Sequence, residues 1–193
     1  MKTTFTLPEH YTRIYRINMK QKKFALWLNL AAAVCYIALM LLGMLFHPIS
    51  LLFDMSDGLG MYALRFGVLL VGYFVYIILH EAIHGIVIRL YSGRWGSFGF
   101  TGLYAFAGSP AYFPKVPYIV IALSPVVIFG VIFVLLNALL PAVWFWPIYL
   151  IACGNLSGAA GDLFVTFRFL GMPRDILVKD EGVVVEVFAP KTL

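Results

Sequence analysis

The residues His80-Glu81-Ala82-Ile83-His84 carry the most specific chemistry in the sequence. On a helix, His80 and His84 lie four apart on one face, so both imidazoles reach one metal ion. Glu81 stands three residues before His84 and flanks that face. It is placed to act as a general base on water held by the metal without being a ligand itself. In a chain of this composition such a pattern arises by chance roughly once in several hundred sequences. The competing reading is a polar helix contact with no metal. Against it, the stretch from Phe66 to Leu79 has no charged residue. A charged group inside an apolar span costs on the order of 2.5–3.5 kcal/mol on insertion scales, so it persists where it has a partner or a purpose.

A catalytic zinc takes three protein ligands and leaves one position open for water. His10 lies in the polar N-terminal stretch and His47 at the far end of the first apolar run. Cys35 and Cys153 sit singly within apolar runs, without metal-site spacing. Asp162 is the only acid in the last two apolar runs. The HEAIH midpoint precedes the end of its run at Tyr91 by about 13 Å, and Asp162 precedes the end of its own at Leu170 by about 12 Å. Equal depth is what a shared site requires, which makes Asp162 the third candidate ligand. The alternative is a carboxylate paired with Arg168 or with a neighbouring helix. Asn155, about two turns before Asp162, either binds a substrate backbone or oxyanion or serves as a polar bridge between helices. Ser157 is a weaker candidate of the same kind. Ser124-Pro125 reads as a helix kink.

These residues must be held by apolar segments. Of 193 residues 62% are hydrophobic and 12% charged, and the mean hydropathy is +0.93. A soluble domain of this length could not cover so much apolar surface. The apolar residues fall in long runs at about 24–46, 62–91, 116–139 and 144–170, each longer than the roughly 30 Å core of a bilayer. No cleavable signal peptide is read ahead of the first run. With residues 1–23 and 171–193 as cytoplasmic segments, thirteen of the fourteen Lys and Arg residues lie inside and only Arg65 outside, as the positive-inside rule prefers. The net charge of +5 therefore speaks for topology and not for a nucleic-acid partner. Asp54 and Asp57 read as solvated loop acids.

Residues 95–114 are uncharged and rich in glycine and aromatics, with Gly96, Gly99, Gly102, Gly108 and Pro110 against a straight helix. Either a β-hairpin or re-entrant segment, or an ordinary interfacial loop, fits this composition. The tail, DILVKDEGVVVEVFAP, reads as a short β-hairpin around Lys179–Gly182, its alternation blurred by Val183–Val185. The expected fold is thus an α-helical polytopic membrane protein of about four transmembrane helices, with a re-entrant or β-hairpin segment and a hairpin tail.

HExxH on one span with an Asp on a later one resembles the site-2 protease class of intramembrane zinc metalloproteases. More narrowly, HEAIHG followed by GNLSGAAGDL resembles a bacterial family of small membrane proteins described as zincin peptidases. The resemblance covers about 62–170. It implies Zn2+ held by His80, His84 and Asp162, Glu81 as the catalytic base, and Asn155 in loose correspondence to a substrate-clamping Asn. It also implies a membrane-spanning or membrane-associated protein substrate and a multi-pass place in the bacterial cell membrane. The chain departs from the site-2 pattern after Gly161-Asp162, where Leu163 stands in place of Gly, and the Pro ahead of the Asp is missing. That departure bears on substrate handling more than on metal binding. The rival from another class is a non-catalytic metal-binding membrane protein, such as a chaperone, an immunity factor or an ion-handling subunit. Glu81 argues against it, because a pure binding site needs no base. Four histidines are too few for a membrane di-iron centre, and His47 is at the wrong depth to pair with His80 or His84 around a haem.

Overall fold

Apolar runs with few breakers form helices, and three of them do so without interruption. In the computed structural model, which describes residues 2–102 and 104–191, α1 spans Lys22–Gly43, α2 Leu59–Ser92 and α3 Lys115–Leu139. Each is long and apolar enough to cross a membrane. A strand, β1 (Tyr11–Asn18), precedes α1. Strands β2 (Ser97–Phe100) and β3 (Ala105–Pro114) stand between α2 and α3. Helices α4 (Phe145–Gly158) and α5 (Ala160–Leu170) follow, and then β4 (Leu177–Asp180) and β5 (Val184–Pro190) close the described chain. Met1, Thr192 and Leu193 at the termini, and Leu103 within the 95–114 segment, lie outside the described residues.

Two expectations change. The run at 144–170 is not one helix: the chain leaves helical geometry at Ala159 (φ −80°, ψ 21°), so the pair counts as a fourth candidate span only if α4 and α5 are taken together. The sequence there is Gly158-Ala159-Ala160-Gly161, and glycine is the poorest helix former after proline. Ser157 also turns its hydroxyl back onto the Cys153 carbonyl at 2.8 Å, a local bond that bends helices. The second change concerns the tail. Its hairpin does not stand alone but joins a five-stranded antiparallel sheet in the order β1-β5-β4-β3-β2, which answers the marginal stability of an isolated hairpin. Residues 95–114 supply β2 and β3, a hairpin. The strand β1 has no counterpart in the sequence reading, which treats 1–23 as a polar segment.

The chain forms two compact units. The first comprises Met1–Trp27, His80–Pro125 and Gly161–Leu193. It holds the sheet, the last turns of α2, the first half of α3, and α5. Val178, Val185 and Val187 point from the centre of the sheet into a core with Phe113, Phe169 and Ile88. On the opposite face Leu177, Phe188 and Tyr11 form a smaller cluster. Burial on both faces is why the period-2 signal of the tail is blurred. The β4–β5 turn needs its glycine: Gly182 has φ +85°, and a Cβ there would run into the Phe106 ring.

The second unit comprises Leu28–Leu79 and Val126–Ala160. Its helices are tied by hydroxyl, indole and amide groups reaching backbone carbonyls. Tyr149 donates to Leu39 O at 2.7 Å and Trp146 Nε1 to Pro48 O at 2.8 Å. Small residues let neighbours close in, as where Gly154 faces the Tyr73 ring. Arg65 is 1% exposed and is met by Asp57 Oδ2 at 3.3 Å and by the Asp54 carbonyl. Asp57 is therefore an ion-pair partner as well as a loop acid.

Candidate metal centre

All three candidate ligands and Glu81 fall in the first unit. α2 is helical throughout 80–84, so His80 and His84 share one face. Their rings lie 5.0 Å apart, and each residue is 7% exposed. Asp162 arrives from α5. Its Oδ2 is 3.5 Å from His80 Nε2, and its Oδ1 is 3.6 Å from His84 Nε2. One ligand atom from each of the three residues can be chosen so that all lie within 4.8 Å of one another. Around a tetrahedral zinc with bonds of about 2.0–2.1 Å, ligand atoms stand about 3.3–3.4 Å apart. The His–Asp spacings are close to that value and too long for direct hydrogen bonds. Two neutral imidazoles and a carboxylate are also a donor set that zinc accepts. The residues fit the metal.

The break at Ala159 contributes here. It makes Asp162 a first-turn residue of α5, where free N–H groups and the helix dipole favour a carboxylate. A continuous 144–170 helix would deny Asp162 that stabilisation. On the other side, His84 Nδ1 lies 2.9 Å from the Ile121 carbonyl. A carbonyl only accepts, so Nδ1 carries the proton and Nε2 keeps the lone pair that a metal needs. Glu81 does not join the ligand cluster. Its Oε2 is buried and has no hydrogen-bond partner among the described residues. A carboxylate oxygen left this way is costly unless something else engages it.

Asn155 lies in the second unit, 4% exposed. It accepts from Tyr76 Oη at 3.1 Å and donates through Nδ2 to Val126 O at 3.0 Å. Both ends of its amide are thus engaged between helices. Arg168 sits over the Tyr15 ring at 4.9 Å, and Asp162 is paired with the two histidines instead.

Asp180 and Tyr118 belong to no chemical motif in the sequence. Asp180, at the end of β4, accepts the Tyr118 hydroxyl at 2.5 Å and the Gly182 N–H at 2.7 Å. Burial pushes its carboxyl up to about 6, and the negative charge of Asp162 adds to that rise against the pull of the two hydrogen bonds. The only sequence cue was Asp180-Glu181-Gly182, a turn signal.

Among proteins at large, two histidines four apart on a helix, a third ligand from a later helix and an adjacent glutamate define a zinc peptidase-like centre. The profile of the family described as "Putative zincin peptidase" matches residues 73–177. That is more than half of the chain and includes every residue of the cluster. The chain belongs to this family. No curated protein and no solved structure matches it.

The Asp180 carboxyl is expected to titrate with a midpoint near 6 in carbon-13 NMR of the folded, metal-free protein, against about 4 in an unfolded chain. The folded state then holds this proton more tightly. The contribution of Asp180 to stability is therefore fully present below about pH 4 and is lost as the pH rises through about 6. A midpoint near 4 in the folded protein would contradict this assignment.

Proposed function

We propose that this protein is an intramembrane zinc-dependent endopeptidase of the site-2 protease type. On this reading it is a multi-pass protein of a bacterial cell membrane with cytoplasmic termini, and it cleaves membrane-spanning or membrane-associated proteins. The observation that carries the proposal is the pairing of a three-ligand cluster with a buried glutamate outside it. His80, His84 and Asp162 suit the metal, and Glu81 keeps an unengaged carboxylate oxygen beside the ligand His80. Membership of a zincin peptidase family and three helices fit to cross a bilayer support it. A protein that merely stored or sensed the metal would have no use for Glu81.

Zinc, when bound, supplies Lewis acidity that lowers the pKa of a water and polarises the scissile carbonyl. The work of the chain is orientation and proton transfer. His80 and His84 present Nε2 from successive turns of α2, and Asp162 closes the third side. Glu81 takes the proton of the attacking water as its oxygen bonds to the carbonyl carbon. Glu81 then passes that proton to the amine nitrogen as the C–N bond breaks.

A spanning helix hides its carbonyls in its own hydrogen bonds, so a substrate must be held extended. β2 ends the sheet and offers an edge for an added strand. The ring of Phe98 of β2 packs against Gly85, leaving no room for a Cβ there. Gly85 directly follows His84 in α2, which supports this reading.

Glu81→Gln is expected to retain zinc at wild-type stoichiometry and to lose at least about a hundredfold in cleavage of a membrane substrate. Zinc missing from the well-folded wild type would overturn the proposal. Equal cleavage by the variant would move the base elsewhere. Proline at Phe98 or Phe100 should abolish cleavage with zinc content unchanged, since proline removes a donor from the ladder. Undiminished cleavage in both variants would remove strand addition from the account.

A further inference from the structure

Proline within a helix is at first sight a defect. Pro125 lies inside α3, where it has no N–H to give and its ring crowds the carbonyl four residues back. In a soluble helix this is strongly destabilising, and inside apolar helices it is tolerated where the freed carbonyl finds another donor. That carbonyl belongs to Ile121. In a regular helix it would accept the N–H of residue 125, which here does not exist. Instead it meets His84 Nδ1 at 2.9 Å and accepts the Ser124 hydroxyl at 2.9 Å. Those two donors use both lone pairs of a carbonyl oxygen. The His84 ring so held turns its Nε2 toward Asp162 Oδ1, 3.6 Å away.

We propose that Pro125 is a positioning residue of the metal centre: by withholding an N–H from the Ile121 carbonyl, it reserves that carbonyl for His84 and so fixes the ring and its Nε2 lone pair. The inference rests on the reading of His80, His84 and Asp162 as metal ligands. It differs from a plain kink, in which only the bend of α3 would matter. Here the decisive property is the missing donor. Outer partners of this kind orient a ligating histidine and set its basicity, and their loss typically weakens metal binding by about 10–100-fold.

The test is zinc and cobalt affinity of the full chain in lipid nanodiscs, measured by competition with a chromophoric chelator, with the cobalt absorption spectrum reporting ligand geometry. Pro125→Ala restores the N–H. It is expected to weaken both metals by at least about tenfold and to alter the cobalt spectrum. Its helix content and thermal stability should stay level or rise, since alanine favours the helix. Replacing Pro125 by lactic acid, which forms a backbone ester, removes the ring but adds no N–H. That variant is expected to bind like the wild type with an unaltered cobalt spectrum. Wild-type affinity in Pro125→Ala would overturn the proposal. An ester variant as weak as the alanine one would overturn it too, by showing that the ring matters and the donor does not. If the wild type itself binds neither metal, the ligand assignment has failed and the inference falls with it, an outcome distinct from the other two.

Discussion

Desolvation of the polar cluster on α2 is the constraint around which the rest is arranged. Two imidazoles, 7% exposed, and a glutamate share one helical turn and a half within an otherwise apolar run, where an unpartnered polar group costs several kcal/mol. Each therefore has to be answered by something brought from elsewhere in the chain. His84 is answered by the Ile121 carbonyl on α3, and both histidines by Asp162 on α5. Asp162 is in turn supported by its place in the first turn of that helix. Glu81 Oε2 has no hydrogen-bond partner among the described residues, which suits the role of base proposed for it.

Bringing three helices to one point requires something that holds them there, and in the first unit the small sheet does this. Its valines pack under Ile88 of α2, Tyr118 and Ile121 of α3, and Phe169 of α5. At roughly 25 cal/mol per Å² of apolar surface, such side chains contribute about 1.5–3 kcal/mol each when fully buried. A handful of them outweighs the cost of any single strained element. The Tyr118–Asp180 bond joins the sheet to α3 one helical turn before Ile121. The tail is thus part of the support of the centre, although it contributes no ligand.

What was legible in the sequence follows from what each feature depends on. His80, Glu81 and His84 depend on spacing along one helix, which is local and can be read directly. Asp162 could be found because an acid in an apolar run is rare and its depth matched. The hairpin in 95–114 was one of two readings, marked by its glycines and its proline. β1 was not legible: Arg13 interrupts the face of Tyr11, Tyr15 and Ile17, and Ile14 breaks the polar face opposite, and its partner β5 lies more than 160 residues away. The break at Ala159 had a signal in Gly158 and Gly161, but those residues read equally well as close helix packing. The meaning of Pro125 could not be read at all, because a missing N–H acquires a role only when a particular donor, here His84, comes to the freed carbonyl.

The proposed centre holds one zinc ion through two imidazoles and one carboxylate, and zinc-edge X-ray absorption of the purified chain reads that ligand set. About one zinc per chain is expected, with two histidine nitrogens and one or two oxygens at about 2.0–2.2 Å, and the signal should be lost in Asp162→Asn. Sulfur among the ligands, or an unchanged ligand set in Asp162→Asn, would refute it.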